Sequence, residues 1–90
     1  MITTQTHDLD TAKAAAKKSA DEAFDVLPKS DPERREQADG LTPLPDEFWR
    51  AEREWLESEL GREPTSREEE AYREAWEGRI EERKEEAGIA

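Results

Sequence analysis

LESELGREPTSREEEAYREAW, residues 56–76, decides how the C-terminal half of this chain folds. Gly61 can take the left-handed conformation that ends a helix, and Pro64 cannot continue one. Thr65 with Glu68 three residues later is a capping box, in which two side chains satisfy amides that a helix start leaves free. One helix therefore ends near residue 60 and another begins near residue 66. A connection this short turns the second helix back along the first, as an antiparallel hairpin.

Upstream, DEFWRAEREWLESEL carries the first arm of that hairpin over about 46–60. Downstream, the helical pattern continues over about 66–87 and stops before Gly88. Residues 28–45 hold Pro28, Pro32, Pro43 and Pro45 together with Gly40, and so form a connector. Ser30 to Glu33 reads as a second capping box, with Pro32 in the first turn of a short helix over about 32–38. Ahead of it, TAKAAAKKSADEAF has very high helix propensity. Capped by Asp8 or Asp10, that helix is expected over about 8–27. Leu9, Ala12, Ala16, Ala20, Ala23, Phe24 and Leu27 share one of its faces. Residues 1–7 read as a flexible arm and 8–90 as a single helical domain. The expected fold is all-α: a small helical bundle with an N-terminal Ala-rich helix, a short Pro-rich connector carrying a short helix, and the C-terminal antiparallel hairpin.

Hydrophobic residues make up 32 % of the 90 residues, and many of them are Ala. The core must be sparse, so a partner-completed core or a homodimer is consistent with the composition. Net charge is −11, divided as −3 over residues 1–40 and −8 over 41–90. This balance repels nucleic acid and anionic membrane and attracts basic protein surfaces. Absence of Cys removes disulfides and thiolate zinc sites. With no signal-like start and no long apolar run, a cytoplasmic location is expected.

Catalytic chemistry finds little support. His7 is the only histidine and has no recommended Ser or Cys partner. No EF-hand pattern, glycine-rich phosphate loop or Glu–His pairing of the di-iron kind occurs. No catalytic residue, metal ligand or cofactor is expected.

The last helix divides by face. Tyr72, Trp76 and Ile80 form an apolar ridge, flanked by Ala71, Ala75 and Gly78; Gly78 suggests a tight contact with a bulky neighbour such as Trp55. Opposite lie Glu70, Glu74, Glu77, Glu81 and Glu85, about 6 Å apart along the axis. Like charges at this spacing repel by about 0.2–0.5 kcal/mol per pair, and no cation stands in their line. In the preceding helix, Phe48, Ala51 and Trp55 form one strip and Trp49, Leu56 and Leu60 another, with Glu52 and Glu59 between them. Either the strips pack on different neighbours with those acids at the boundary, or, the favoured expectation, the acids pair with Arg79 or Arg83, since a buried unpaired carboxylate is expensive. Trp49 is the candidate exposed anchor.

LGREPTSREEEAY, residues 60–72, resembles the loop-to-helix segment of bacterial sigma-factor region three and related helix-turn-helix proteins. Glu69 and Glu70 stand where that family places apolar residues, so the resemblance implies the helical hairpin alone. The ridge Glu70, Glu74, Glu77, Glu81 and Glu85, with Glu47, Glu54 and Glu57 on the adjacent helix, gives a second likeness. In charge and size the chain resembles small acidic phage or mobile-element proteins that imitate nucleic acid, such as anti-CRISPR and anti-restriction inhibitors. The resemblance implies an inhibitor in the cytoplasm of a bacterial host. It would bind the basic surface of a nucleic-acid-binding protein, with no direct contact to nucleic acid or membrane. The alternative expectation is a helical adaptor or assembly module that uses Trp49, Trp55 and Leu56.

Overall fold

The cap at Thr65 forms as the sequence requires. In the computed structural model, which describes residues 3–29, 32–41 and 44–88, with side chains from Asp8 onward, Glu68 N–H donates to Thr65 Oγ1 at 3.2 Å. Thr65 N–H donates in return to Glu68 Oε1 at 2.8 Å. Gly61 ends the preceding helix at φ 75° and donates to the Glu57 carbonyl at 2.8 Å. The described residues form helices α1 (Thr3–Asp25), α2 (Glu33–Asp39), α3 (Asp46–Leu60) and α4 (Ser66–Glu86), and no strand.

α1 begins five residues ahead of the expected position and ends at Asp25. Asp8 is not its cap; its carboxylate is drawn to Arg62, at 2.5 Å. The short helix α2 begins after Pro32, whose carbonyl accepts from Glu36 N–H at 3.0 Å. The proposed cap at Ser30 lies outside the described residues.

Side-chain contacts set the directions. From the loop outward, Arg53 meets Glu69, Glu52 meets Tyr72 and Phe48 meets Trp76, so α3 and α4 run antiparallel. Along α1, Asp8 meets Arg62, Ser19 meets Trp76 and Asp25 meets Arg83, so α1 runs parallel to α4. The closest helix pair is α1 with α4, not the two arms of the hairpin. Size explains the ranking. α1 buries Ala12, Ala15, Ala16 and Ala20, which let backbones approach, whereas the rings of Phe48, Trp49, Tyr72 and Trp76 hold α3 away from α4. The molecule is a slab of 48 × 25 × 16 Å.

The core gathers Phe24, Leu27, Leu56, Tyr72, Trp76 and Ile80 around the alanines. Phe24 carries the Arg34 and Arg83 guanidiniums at 5.1 and 4.8 Å from its ring centre, which ties α2 to the long helices. Two expectations are corrected. Gly78 is exposed and a side chain there would meet nothing within 4 Å, so no bulky neighbour explains it. Glu52 does not pair with Arg79 or Arg83; it accepts hydrogen bonds from Ser19 Oγ and from Tyr72 Oη (2.6 Å). Neutral donors on α1 and α4 reach it, while both arginines pair with aspartates of α1. No helix among the described residues is long and apolar enough to cross a membrane.

Candidate functional site

Three cations of α4 point inward. Arg79 Nε donates to Asp21 Oδ1 at 2.7 Å; Arg83 donates to Asp21 at 2.9 Å and to Asp25 at 2.6 Å. Lys84 is buried and reaches Asp39 at 3.0 Å. Burial works to raise the Asp21 pKa, but the Arg83 and Arg79 hydrogen bonds override it and hold the carboxyl below its ordinary value. The same bonds raise the arginines, through Asp21 for Arg79 and Asp25 first for Arg83. Lys84 is raised by its bond to Asp39. These pairs fasten α1 and α2 to α4; at longer range Arg79 also lies 3.7 Å from Glu86, Arg83 3.8 Å from Glu86 and Lys84 3.7 Å from Glu81.

The outer face of α4 keeps its acids. Glu70, Glu74, Glu81 and Glu85 are exposed and Glu77 is half-buried. Among the described residues no salt bridge reaches Glu70, Glu74 or Glu85. Glu77 lies 3.7 Å from Arg73 and Glu81 lies 3.7 Å from Lys84. Lys13 and Arg67 share a shallow groove with Glu70 and Glu74, so cations flank the N-terminal end of the ridge. On α3, Glu54 is exposed and Glu57 is half-buried at 3.8 Å from Arg53.

Trp49 is half-buried. It packs edge-on against Phe48 (4.9 Å between centres) and Trp76 (5.4 Å), and its Nε1 is buried without a hydrogen-bond partner. The Arg73 guanidinium covers its ring at 5.0 Å. Trp49 therefore lines an open groove of about 350 Å³ between α3 and α4, beside Leu56 and Tyr72, with Arg53, Arg73, Glu69 and Glu70 at the rim. Of these residues the sequence marks Trp49 and Glu70 as candidates; the spacing of Arg73 from Glu69 and Glu77 shows a helical ion pair, and that of Arg53 from Glu57 another, but neither spacing points to a groove.

A second cluster lies at the loop. Glu68, buried, accepts from Arg62 Nη1 at 2.9 Å and Nη2 at 2.6 Å, and Arg62 Nη2 also reaches Asp8. The Arg62 bonds hold the Glu68 carboxyl down at about 2, against the opposing effect of burial and with help from Thr65 N–H. A folded-state pKa below the unfolded one gives stability that is complete above about 4.5 and is lost as pH falls towards about 2. Wild type should therefore lose about 1–2 kcal/mol more than Glu68→Gln on acidification from about pH 5 to about pH 3. Thermal unfolding of both at each pH measures the difference, and the comparison cancels the relief of general charge repulsion. Identical losses would show that the Glu68 charge does not hold the Arg62–Glu68 cluster together.

Among the described residues, no group of three or more His, Asp or Glu side chains is placed to hold a metal ion. No protein-family model, curated protein or solved structure matches the chain. The geometry is that of a small all-α protein whose long C-terminal helix is acidic on its exposed side and apolar on its inner side, with Arg79, Arg83 and Lys84 turned towards α1 and α2 near its end.

Proposed function

We propose that the protein is an acidic inhibitor that binds a nucleic-acid-binding complex, such as a CRISPR effector or a restriction enzyme, and blocks DNA binding by imitating nucleic-acid charge. The observation that carries this reading is the partition of α4: Arg79, Arg83 and Lys84 make their shortest pairs with α1 and α2, while Glu70, Glu74 and Glu85 are exposed with no salt bridge among the described residues, and Glu77 and Glu81 continue their line. The ridge presents one carboxylate per about 6 Å over about 22 Å. One DNA strand presents a phosphate per about 3.4 Å, so the ridge is a coarse copy that a basic channel can accept. The exposed side of α1 differs, since Lys13, Lys17 and Lys18 lie there among the acids. The acidic field therefore has a direction, which steers association. An aromatic docking face has less to offer: Phe48, Trp49 and Trp55 pack on the core, and Val26 is the one large hydrophobic that stands exposed among the described residues.

The test is displacement of DNA from a panel of CRISPR effectors and restriction enzymes, followed by mobility shift at low and high salt. Wild type should displace DNA from a susceptible enzyme, and screening over about 8 Å at physiological ionic strength should weaken it. The combined variant Glu74→Lys, Glu77→Lys, Glu81→Lys should lose inhibition by roughly two orders of magnitude at low salt. Only exposed or half-exposed pairs are lost in that variant, so its helical content should be unchanged by circular dichroism. Full inhibition by the folded variant would remove the ridge as the binding surface.

A further inference from the structure

We propose that α2 is a strap that lifts away from the bundle while the three long helices stay folded, uncovering the Phe24 ring and the Lys84 ammonium. The attachment of α2 is thin. It has seven residues, and an isolated helix shorter than about 12–15 residues is marginal in water. Its N-cap is Pro32, which makes no side-chain cap hydrogen bond. Docking must therefore come from tertiary contacts. Among the described residues the close helix pairs are α1 with α4, α1 with α3 and α3 with α4, and α2 belongs to none of them. Ala38 is the buried residue of α2, and a single methyl group carries little apolar area into the core.

Two charged contacts add to that methyl group. The Arg34 guanidinium sits over the Phe24 ring at 5.1 Å, and Asp39 meets Lys84 Nζ at 3.0 Å. Neither is enclosed: Arg34 is half-buried and the Asp39 side chain is 61 % exposed, so water competes for both. Nor do the groups beneath depend on α2 alone. Phe24 keeps the Arg83 guanidinium of α4 at 4.8 Å from its ring centre, and Lys84 keeps Glu81 at 3.7 Å. The flanks of the segment are held more firmly. Leu27 before α2 is buried, and Leu41 after it is half-buried against the core. Pro28 and Pro32 on one side and Gly40 on the other separate α2 from these anchors. The helix can therefore lift without pulling on either. Openings below the cost of global unfolding arise where buried apolar contacts are few, and α2 is that place in this fold.

The experiment is amide hydrogen exchange of the full chain, read residue by residue by NMR and corrected for intrinsic rates. The Glu36 and Gly40 amides, bonded to the Pro32 and Glu36 carbonyls, report on α2. Those of Ala16 and Trp76 report on α1 and α4. The α2 amides should exchange at least about tenfold faster. A smaller difference would mean that α2 opens only with the whole molecule, and would overturn the strap. Arg34→Gln and Arg35→Gln make the same charge change on neighbouring residues, and only Arg34 covers Phe24. Arg34→Gln should speed α2 exchange about threefold, and Arg35→Gln less than half as much. Asp39→Asn gives a test of sign. A carboxylate at the end of a helix is disfavoured by the helix dipole, so its removal slows α2 exchange if Lys84 does not hold it. An acceleration of about threefold is expected instead. Both Arg34→Gln and Asp39→Asn should leave the Ala16 and Trp76 rates unchanged. Equal effects of the two arginine changes, slower exchange in Asp39→Asn, or equal acceleration at Ala16 and Trp76 would each overturn the fastening described.

Discussion

Trp76→Ala is expected to destabilise the protein by about 3–5 kcal/mol. Trp76 is fully buried and central to the aromatic group, with Phe48 at 5.1 Å and Trp49 at 5.4 Å, both edge-on. Its Nε1 donates to Ser19 Oγ on α1 at 3.2 Å, so one side chain joins all three long helices. Alanine would leave a cavity that the half-buried rings of α3 could only partly fill. Native stability is about 0.05–0.15 kcal/mol per residue, so the loss is comparable with the whole for a chain this short. The melting temperature should fall by at least about 15 °C, measured by circular dichroism. Trp76→Phe keeps most of the ring volume and loses the hydrogen bond, and it should cost less than half as much. A Trp76→Ala protein that melts within about 5 °C of wild type would show that this cluster does not organise the core.

The next largest effect is expected at Glu52. Its carboxylate receives the Ser19 and Tyr72 hydroxyls, which come from α1 and α4. Burial, and then the bond to Glu52, raise the Tyr72 hydroxyl above its ordinary pKa, so Tyr72 remains a donor throughout the physiological range. Glu52→Ala removes the acceptor and strands two hydroxyls near the core, at a cost of about 2–4 kcal/mol. Glu52→Gln keeps an acceptor oxygen and should cost about half of that. The decisive comparison is a double-mutant cycle: Tyr72→Phe should cost about 1 kcal/mol alone and much less when combined with Glu52→Ala. Strict additivity of the two changes in denaturant unfolding would mean that the bond contributes nothing.

Much of the helical framework was legible because it rests on neighbours in sequence. Gly61, Thr65 and Glu68 act within one turn, so the end of α3 and the start of α4 could be read directly. The alternation of Tyr72, Trp76 and Ile80 with the outward glutamates follows from helical periodicity alone. The fate of Glu52 was misread because its partners, Ser19 and Tyr72, lie 33 and 20 residues away on two different helices. Arg79 and Arg83 were given to α3 for the same reason, although their partner Asp21 is 58 and 62 residues distant on α1. Gly78 looked like a packing device, yet it lies on the exposed side, where sequence alone offers no means of telling close contact from open solvent. Trp49, the candidate exposed anchor, is half-buried: it packs at a steep angle on Phe48 and Trp76, and Arg73 covers its ring, partners that its position in the sequence does not show.

The sequence by itself determined four helices, their approximate limits, and a row of glutamates along one side of the last. Hydrogen bonds and caps that link residues three or four apart suffice for that. The tertiary structure alone decided that α1, not α3, lies closest to α4, because alanines permit an approach that tryptophans prevent. It also decided which charges remain on the outside. Arg79, Arg83 and Lys84 turn inward only because Asp21, Asp25 and Asp39 arrive there from distant segments.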